Sequence, residues 1–316
     1  MNVSVIMCTY LGALYVQEQL NSILGQTYPI AEILVFDDAS TDNTTQIVTE
    51  IAAKNGVIKL TVNEKNIGFN KNFEQALKAA SGNVIAIADQ DDIWVDTKIE
   101  KMLKAWKEEC PVIYCDSILF SDTPPANPKS HPHFRRFEGT DARKIFLFNT
   151  ISGHAMLVKK DFLPLVLPFT EGVMYDWWMA VTAAYNGGVQ YYPEVLVLQR
   201  LHENNITVSP KNQQPIAEQR DTFKKFVIKH CNKFKTAPNI PSSHKEFLNR
   251  FHTLMQQSLV KKFHFPLFVF ILKHRRLLFN YKKRRIGFFS YLKHSYLRTL
   301  SAKWKLNSKE NLSNIV

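Results

Sequence analysis

Over the first 115 residues, apolar runs of strand length alternate with segments whose apolar residues recur at helical spacing. That alternation predicts a mostly parallel sheet covered by helices. The predicted strands are 3–8, 32–36, 57–62, 84–88 and 112–115. Phe69, Phe73, Ala76, Leu77 and Ala80 share one helical face, as do Ile99, Met102, Leu103 and Trp106. Ser40 and Thr41 stand where the cap of a helix through Ile47, Val48 and Ile51 belongs.

The pattern dissolves over 121–137 into prolines, serines and His131-Pro132-His133, which predicts a loop long enough to cover a substrate. The alternation with proline and the lack of a third ligand favour a loop over a metal site at these two histidines. Order returns at 151–158, then in a helix over 175–185 and a strand over 195–198 that runs into Gln199-Arg200-Leu201-His202. Past Ser209-Pro210 the chain reads as helical, basic and aromatic, so the expected domains are 1–210 and 211–316.

Charge separates the same two parts. Residues 211–316 hold 23 Lys and Arg against 4 Asp and Glu, whereas 1–210 hold 17 against 24. A basic segment suits an anionic membrane surface or nucleic acid. The apolar stretches 265–272 and 286–289 between its cations are too short to span a bilayer but suit its interface. A membrane surface is therefore the expected partner, and nucleic acid is not. The four cysteines show no metal-ligand spacing, and the first residues read as a strand rather than a signal peptide, which sets the expected location in the cytoplasm.

The candidate chemistry lies at two predicted strand ends. Asp89-Gln90-Asp91-Asp92 follows the apolar run 84–88, and Asp37-Asp38-Ala39-Ser40-Thr41-Asp42 follows the second strand. Unpaired carboxylates cannot continue a buried strand without several kcal/mol of desolvation each, so both clusters belong at the sheet edge where open α/β sheets hold ligands. No glycine-rich phosphate loop follows the first strand. A diphosphate bound there needs a divalent cation, and oxygen donors suit Mg²⁺ or Mn²⁺.

Thr9-Tyr10, Gln26-Thr27-Tyr28-Pro29, the 37–42 cluster, Asn66-Ile67-Gly68 with Lys71-Asn72-Phe73, and the 89–92 cluster with Trp94 and Lys98 follow one another along the chain. In their order and spacing these motifs resemble the inverting glycosyltransferases of family 2, over about 3–205. The resemblance implies a GT-A (nucleotide-diphospho-sugar transferase) α/β fold, a mostly parallel sheet flanked by helices, here with a basic helical C-terminal extension. It divides the first domain into a nucleotide-binding half, 1–115, and an acceptor half, 116–210. The spelling Asp-Gln-Asp-Asp-Ile-Trp is similar to bacterial rhamnosyltransferases of capsule, cell-wall and lipopolysaccharide synthesis that use a dTDP-linked sugar.

Carried over position by position, the resemblance implies that Asp38 holds the base, with Thr9 and Tyr10 lining its pocket and Lys71 close to the nucleotide. Asp89 faces the ribose, while Asp91 and His202 hold the metal. Asp92 orients Asp91 or caps the next helix. Asp176 is the implied catalytic base, with Trp177 and His154 on the acceptor side. Adjacent helical residues diverge, so only one of Trp177 and Trp178 is expected to meet a sugar, the other belonging to the core. Two departures stand out: Gln199 stands where the family more usually has Tyr, and Leu11 occupies a place where Asn commonly follows the Thr-Tyr pair. The alternatives to a transferase acting on a lipid-linked or polysaccharide acceptor are a sugar nucleotidyltransferase and an inactive membrane scaffold of the same fold.

Overall fold

The structure, a computed structural model, describes residues 1–130, 134–202 and 216–282 together with Tyr291, Leu292, Tyr296 and Thr299. The His131-Pro132-His133 run, the Ser209-Pro210 boundary and most of the basic run 282–285 lie outside the described residues. The chain forms two compact units. The first comprises 1–131, 136–140 and 151–205, and the second 132–135, 141–150 and 206–316. The division therefore does not run along a single cut.

In the first unit the elements follow in the order β1 (Val3–Thr9), α1 (Val16–Leu24), β2 (Glu32–Asp37), α2 (Thr44–Ala52), β3 (Ile58–Val62), α3 (Phe69–Ala79) and β4 (Val84–Asp89). Then come β5 (Ile93–Trp94), α4 (Lys98–Ala105), β6 (Val112–Phe120), β7 (Met156–Lys159), α5 (Leu163–Val166), α6 (Tyr175–Tyr185) and β8 (Val189–Arg200). They build one eight-stranded sheet in the order β3-β2-β1-β4-β7-β6-β8-β5. β1, β2, β3 and β4 run parallel to their neighbours within that group, β8 runs parallel to β6, and the β4–β7, β6–β7 and β5–β8 pairings are antiparallel.

β1, β2 and β4 are buried along nearly their whole length, as central parallel strands covered on both faces must be. α1 covers the sheet with Val16, Leu20 and Ile23, spaced i, i+4 and i+7. Register places the functional edge: Thr9 pairs with Asp37 and Cys8 with Asp89, so the two acidic strand ends flank the end of β1.

Two local expectations differ from what is observed. α2 begins at Thr44, with Asn43 rather than Ser40 or Thr41 at its cap position. The Ser40 hydroxyl is used elsewhere, donating to Asp37 Oδ2 at 2.6 Å and accepting from the Leu11 N–H at 2.9 Å. The strand expected over 195–198 is the end of a twelve-residue strand whose earlier part was hidden by Pro193 and the exposed Glu194. Those two residues are passed over where the β6–β8 register shifts, the kind of bulge at which a strand tolerates proline.

The second unit is helical, with α7 (Ile216–Phe234), α8 (Ser242–Ser258), α9 (Phe265–Lys273) and α10 (Arg275–Leu278). Its core is aromatic. Phe146 stacks on Phe234 at 5.5 Å between centroids and Phe251 on Phe270 at 5.5 Å. Among the described residues, no helix is long and apolar enough to cross a membrane.

Candidate active site

At the end of β2 the two consecutive acids have different surroundings. Asp37 is fully buried; its Oδ2 accepts from the Thr9 hydroxyl at 2.7 Å and its Oδ1 from the Ser40 N–H at 2.8 Å. Asp38 points the other way, accepting from Asn63 Nδ2 at 2.9 Å and from the N–H groups of Ile67 at 2.8 Å and Gly68 at 2.9 Å. Asp38 thus ties the Asn66-Ile67-Gly68 turn to the sheet edge, just before α3. Lys71 is exposed in the first turn of that helix.

Gln90 clamps the neighbouring backbone. Its Oε1 accepts from the Tyr10 N–H at 2.9 Å, and its Nε2 donates to the Tyr10 carbonyl at 3.1 Å. Gly12 makes room for it, since a Cβ there would lie 2.2 Å from Gln90 Oε1. Next to this clamp, Leu11 holds a left-handed φ of 50° that a leucine adopts only with strain and an asparagine more readily.

The acids after β4 form two groups, each with a histidine. His202 Nε2 lies 2.6 Å from Asp91 Oδ2, and the imidazole stacks on Tyr15 at 4.9 Å between centroids. His154 is buried, with its Nδ1 3.2 Å from Asp89 Oδ2 and 3.4 Å from Asp92 Oδ2. Asp89, Asp92 and His154 lie close enough together to hold one metal ion. Beneath them Lys98 is completely buried, its ammonium donating to the His154 carbonyl at 2.8 Å and lying 3.3 Å from the centre of the Trp94 ring.

The electrostatics follow from this burial. Burial, reinforced by the Asp89 and Asp91 charges and opposed by His154, pushes Asp92 up to about 7. Burial and the Asp89 charge raise Asp91, with His202 pulling the other way. Asp92 and Asp89 hold His154 above its ordinary value against the downward effect of burial. Burial brings Lys98 down to about 7. Both Asp92 oxygens and His154 Nε2 are buried without a hydrogen-bond partner among the described residues. Such orphaned groups are costly, and a divalent cation is what a set of carboxylates and imidazoles is fitted to hold.

Asp176 opens α6, where its Oδ1 accepts from the Trp177 N–H at 2.6 Å. It is partly open at the surface yet enclosed by protein, and burial, with the Asp89 charge adding, pushes its carboxyl up to about 7. Asn70 fixes the start of this helix, its Nδ2 donating to the Val173 carbonyl at 2.7 Å and its Oδ1 accepting from the Tyr175 N–H at 3.1 Å. Trp177 and Trp178 are both buried, at 7% and 5% exposure, so neither offers a broad open ring face. Trp178 Nε1 donates to the Val166 carbonyl at 3.0 Å, as a core tryptophan does.

The predicted residues Thr9, Tyr10, Asp38, Asp89, Asp91, His154 and His202 are carried by β1, the ends of β2, β4 and β8, and the turn before β7. Sequence reasoning did not assign a part to Gln90, Asn70 or the buried Lys98. A lysine on the apolar face of α4, one residue before Ile99, was the available signal for the last.

Residues 4–164 match the family described as Glycosyl transferase family 2. An uncharacterized glycosyltransferase of Haemophilus influenzae is 30% identical over 250 residues, which is 71% of this chain and 71% of that protein. The Escherichia coli UDP-Glc:alpha-D-GlcNAc-diphosphoundecaprenol beta-1,3-glucosyltransferase WfgD is 42% identical over 101 residues, 32% of this chain and 39% of that one. Among solved structures, S. aureus TarS 1-349 in complex with UDP-GlcNAc superposes with a TM-score of 0.56 at 19% identity, covering 95% of this chain and 89% of that one. The mannosyltransferase PcManGT from Pyrobaculum calidifontis, in complex with GDP-Man and Mn2+, gives 0.55 at 17% identity over 94% and 85% of the two chains. At these identities the structural likeness establishes the fold, which is of the GT-A kind.

Proposed function

Because this chain belongs to glycosyl transferase family 2 and is a glycosyltransferase, we propose that it moves a sugar, with inversion, from a nucleotide donor to a lipid-linked or polysaccharide acceptor in cell-surface glycan synthesis. The observation that carries the reading is the acid cluster at the end of β4, where Asp91 meets His202 and the buried Asp92 oxygens, beside His154, accept no hydrogen bond among the described residues.

In this reading Asp38 meets the base of the nucleotide through the Oδ2 lone pair that the bonds to Asn63 and to the 66–68 turn leave unused. Thr9 and the clamped Tyr10 line the same pocket, Lys71 approaches the nucleotide from α3, and Asp89, the most open of the three acids at 37% side-chain exposure, faces the ribose. Asp91 and His202 would hold Mg²⁺ or Mn²⁺, which when bound would supply positive charge against the departing diphosphate. Asp92, with Asp89 and His154, forms the neighbouring group close enough to share in holding the cation, and the buried Lys98 anchors the His154 backbone beneath it.

Inversion is a single displacement, so the acceptor hydroxyl must give up its proton while it attacks the anomeric carbon. Asp176 takes that proton. A carboxyl group raised to about 7 is a stronger base than an ordinary aspartate and is still ionised in a large fraction at neutral pH. Trp177 and His154 lie towards the acceptor. A dTDP-linked rhamnose is the donor that the Asp-Gln-Asp-Asp-Ile-Trp spelling suggests. A lipid-linked acceptor is supported by the named substrate of WfgD, and in this proposal the enzyme works at the cytoplasmic face of the membrane. The domain boundary near residue 210 is part of the same proposal.

A nucleotidyltransferase is disfavoured, because residues 10–15 between β1 and α1 contain no cation to hold a triphosphate. Calorimetric titration with UDP, dTDP and GDP, with and without Mn²⁺, tests the reading. It requires metal-dependent binding of at least one nucleotide, and an absence of any such binding rules it out.

A further inference from the structure

Helix α9 is apolar on the side that faces away from its own unit as well as on the side that packs. Leu267 and Ile271, four residues apart, are fully buried and form the packed stripe. On the opposite stripe Phe265 is 63% and Val269 44% exposed, with Pro266 also exposed between them. Val260, just before the helix, is 69% exposed. A surface helix of a water-soluble domain carries polar residues on its outer stripe. Here the outer stripe calls for an apolar partner.

Charge identifies that partner. Lys261, Lys262, Lys273 and Arg276 border the stripe and are all exposed. No Asp or Glu occurs between Glu246 and Glu310, while the same stretch holds 15 Lys and Arg. Exposed apolar side chains flanked along the chain by exposed cations, in a stretch of sequence without acids, match the boundary between the headgroups and acyl chains of an anionic bilayer. The helix has nine residues, about 14 Å at helical rise, and a hydrocarbon core of about 30 Å is too thick for it to cross.

We infer that the outer face of α9, with Val260, Phe265 and Val269 as its inserted side chains and Lys261, Lys262, Lys273 and Arg276 on the headgroups, docks this protein on an anionic phospholipid surface. The inference rests on the membrane part of the function proposed above, and it assigns that role to particular residues. Docking of this kind positions the enzyme in the plane and leaves it exchangeable, since each apolar side chain adds only a modest share of the binding.

Flotation of the full chain with vesicles of phosphatidylcholine alone, and of phosphatidylcholine mixed with phosphatidylglycerol, tests it. The wild type floats with the mixed vesicles, and does so less as salt is raised. Phe265→Glu with Val269→Glu lowers the bound fraction about tenfold or more while leaving the melting curve unchanged, since both side chains are exposed. Leu14→Glu, an exposed leucine of the first unit, floats like wild type. Equal flotation of the α9 variant, or a wild type that ignores both vesicles, overturns the inference. So does a wild type that ignores vesicles but dimerises in solution through this face. Transfer to a water-soluble acceptor analogue, measured on the same variants, separates the two readings. Lost flotation with retained transfer supports α9 docking, whereas a wild type that floats but transfers nothing counts against the catalytic assignment alone.

Discussion

Asp91 Oδ2 and His202 Nε2 lie 2.6 Å apart although 111 residues separate them in the chain. A very short strand explains the meeting. β5 is only Ile93–Trp94, yet it pairs antiparallel with the end of β8, Ile93 opposite Leu198 and Trp94 opposite Val197. The turn that carries the acids is thereby held against the segment that carries the histidine. Tyr15 stacks on the imidazole, and the Arg200 guanidinium lies over the Tyr15 ring at 5.1 Å, so the pair is oriented as well as close.

If these two side chains hold one cation, they act as a unit. His202→Ala should weaken Mn²⁺-supported nucleotide binding about 10- to 100-fold, and Asp91→Asn by at least as much. The double variant should be little worse than Asp91→Asn alone. Titration calorimetry of the four proteins reads the cycle, and losses that simply add would mean that the residues act separately.

Asp176 predicts a pH dependence. As a base it works only when ionised, so kcat/KM should rise about tenfold per pH unit below its value of about 7 and level above it. Asp176→Asn should lower kcat by about 10²- to 10⁴-fold and abolish that limb of the profile. Retention of the full rate in this variant would remove Asp176 from the mechanism.

The same raised carboxyls affect stability. In Asp92 and Asp176 the folded value, about 7, exceeds the ordinary 3.8, so between those values the folded chain binds more protons than the unfolded one. Their stabilising contribution is complete below about 4 and is lost as pH rises towards 7. The melting temperature of the metal-free protein should therefore carry a downward slope across this window that is shallower in Asp176→Asn. An identical slope in the variant would contradict the assignment.

Leu11 offers a test on the backbone. Its φ of 50° suits asparagine, and its side chain is 47% exposed, so little packing is at stake. Leu11→Asn should raise stability by about 0.5–1 kcal/mol, seen as a small upward shift in the thermal transition. A lowered melting temperature would show that the leucine side chain matters more than its backbone conformation.

Gly153 is needed for a different reason. A Cβ there would lie 2.0 Å from the Tyr175 hydroxyl, and the Tyr175 ring packs on Phe73 at 4.4 Å between centroids, leaving it nowhere to retreat. Gly153→Ala should cost about 1–3 kcal/mol and lower kcat, because Tyr175 directly precedes Asp176. Gly56→Ala, where a Cβ meets nothing within 4 Å, is the control and should be near neutral in both readouts.

The parts of this site that sequence reveals are those fixed by local pattern. Buried runs mark β1, β2 and β4, and the acids that end two of them must lie at the sheet edge. Helix α1 carries a shorter apolar stripe, Val16, Leu20 and Ile23, than the stripes of α3 and α4. Contacts across long separations could not be read. Nothing local shows that Gln90 spends its amide on the Tyr10 backbone, that Lys98 lies beneath the acids, or that Asp92 finds no hydrogen-bond partner among the described residues. Pro193 and Glu194 hid the first half of β8 because a bulge reads as a break.

The most direct test of the account is the stereochemistry of the product. The wild-type enzyme, supplied with a panel of nucleotide sugars including dTDP-rhamnose and a lipid-linked acceptor, should form one glycoside, whose anomeric configuration by NMR is opposite to that of the donor. Asp176→Asn should form it far more slowly. A product that keeps the donor's configuration would contradict the single displacement and the role of Asp176 together.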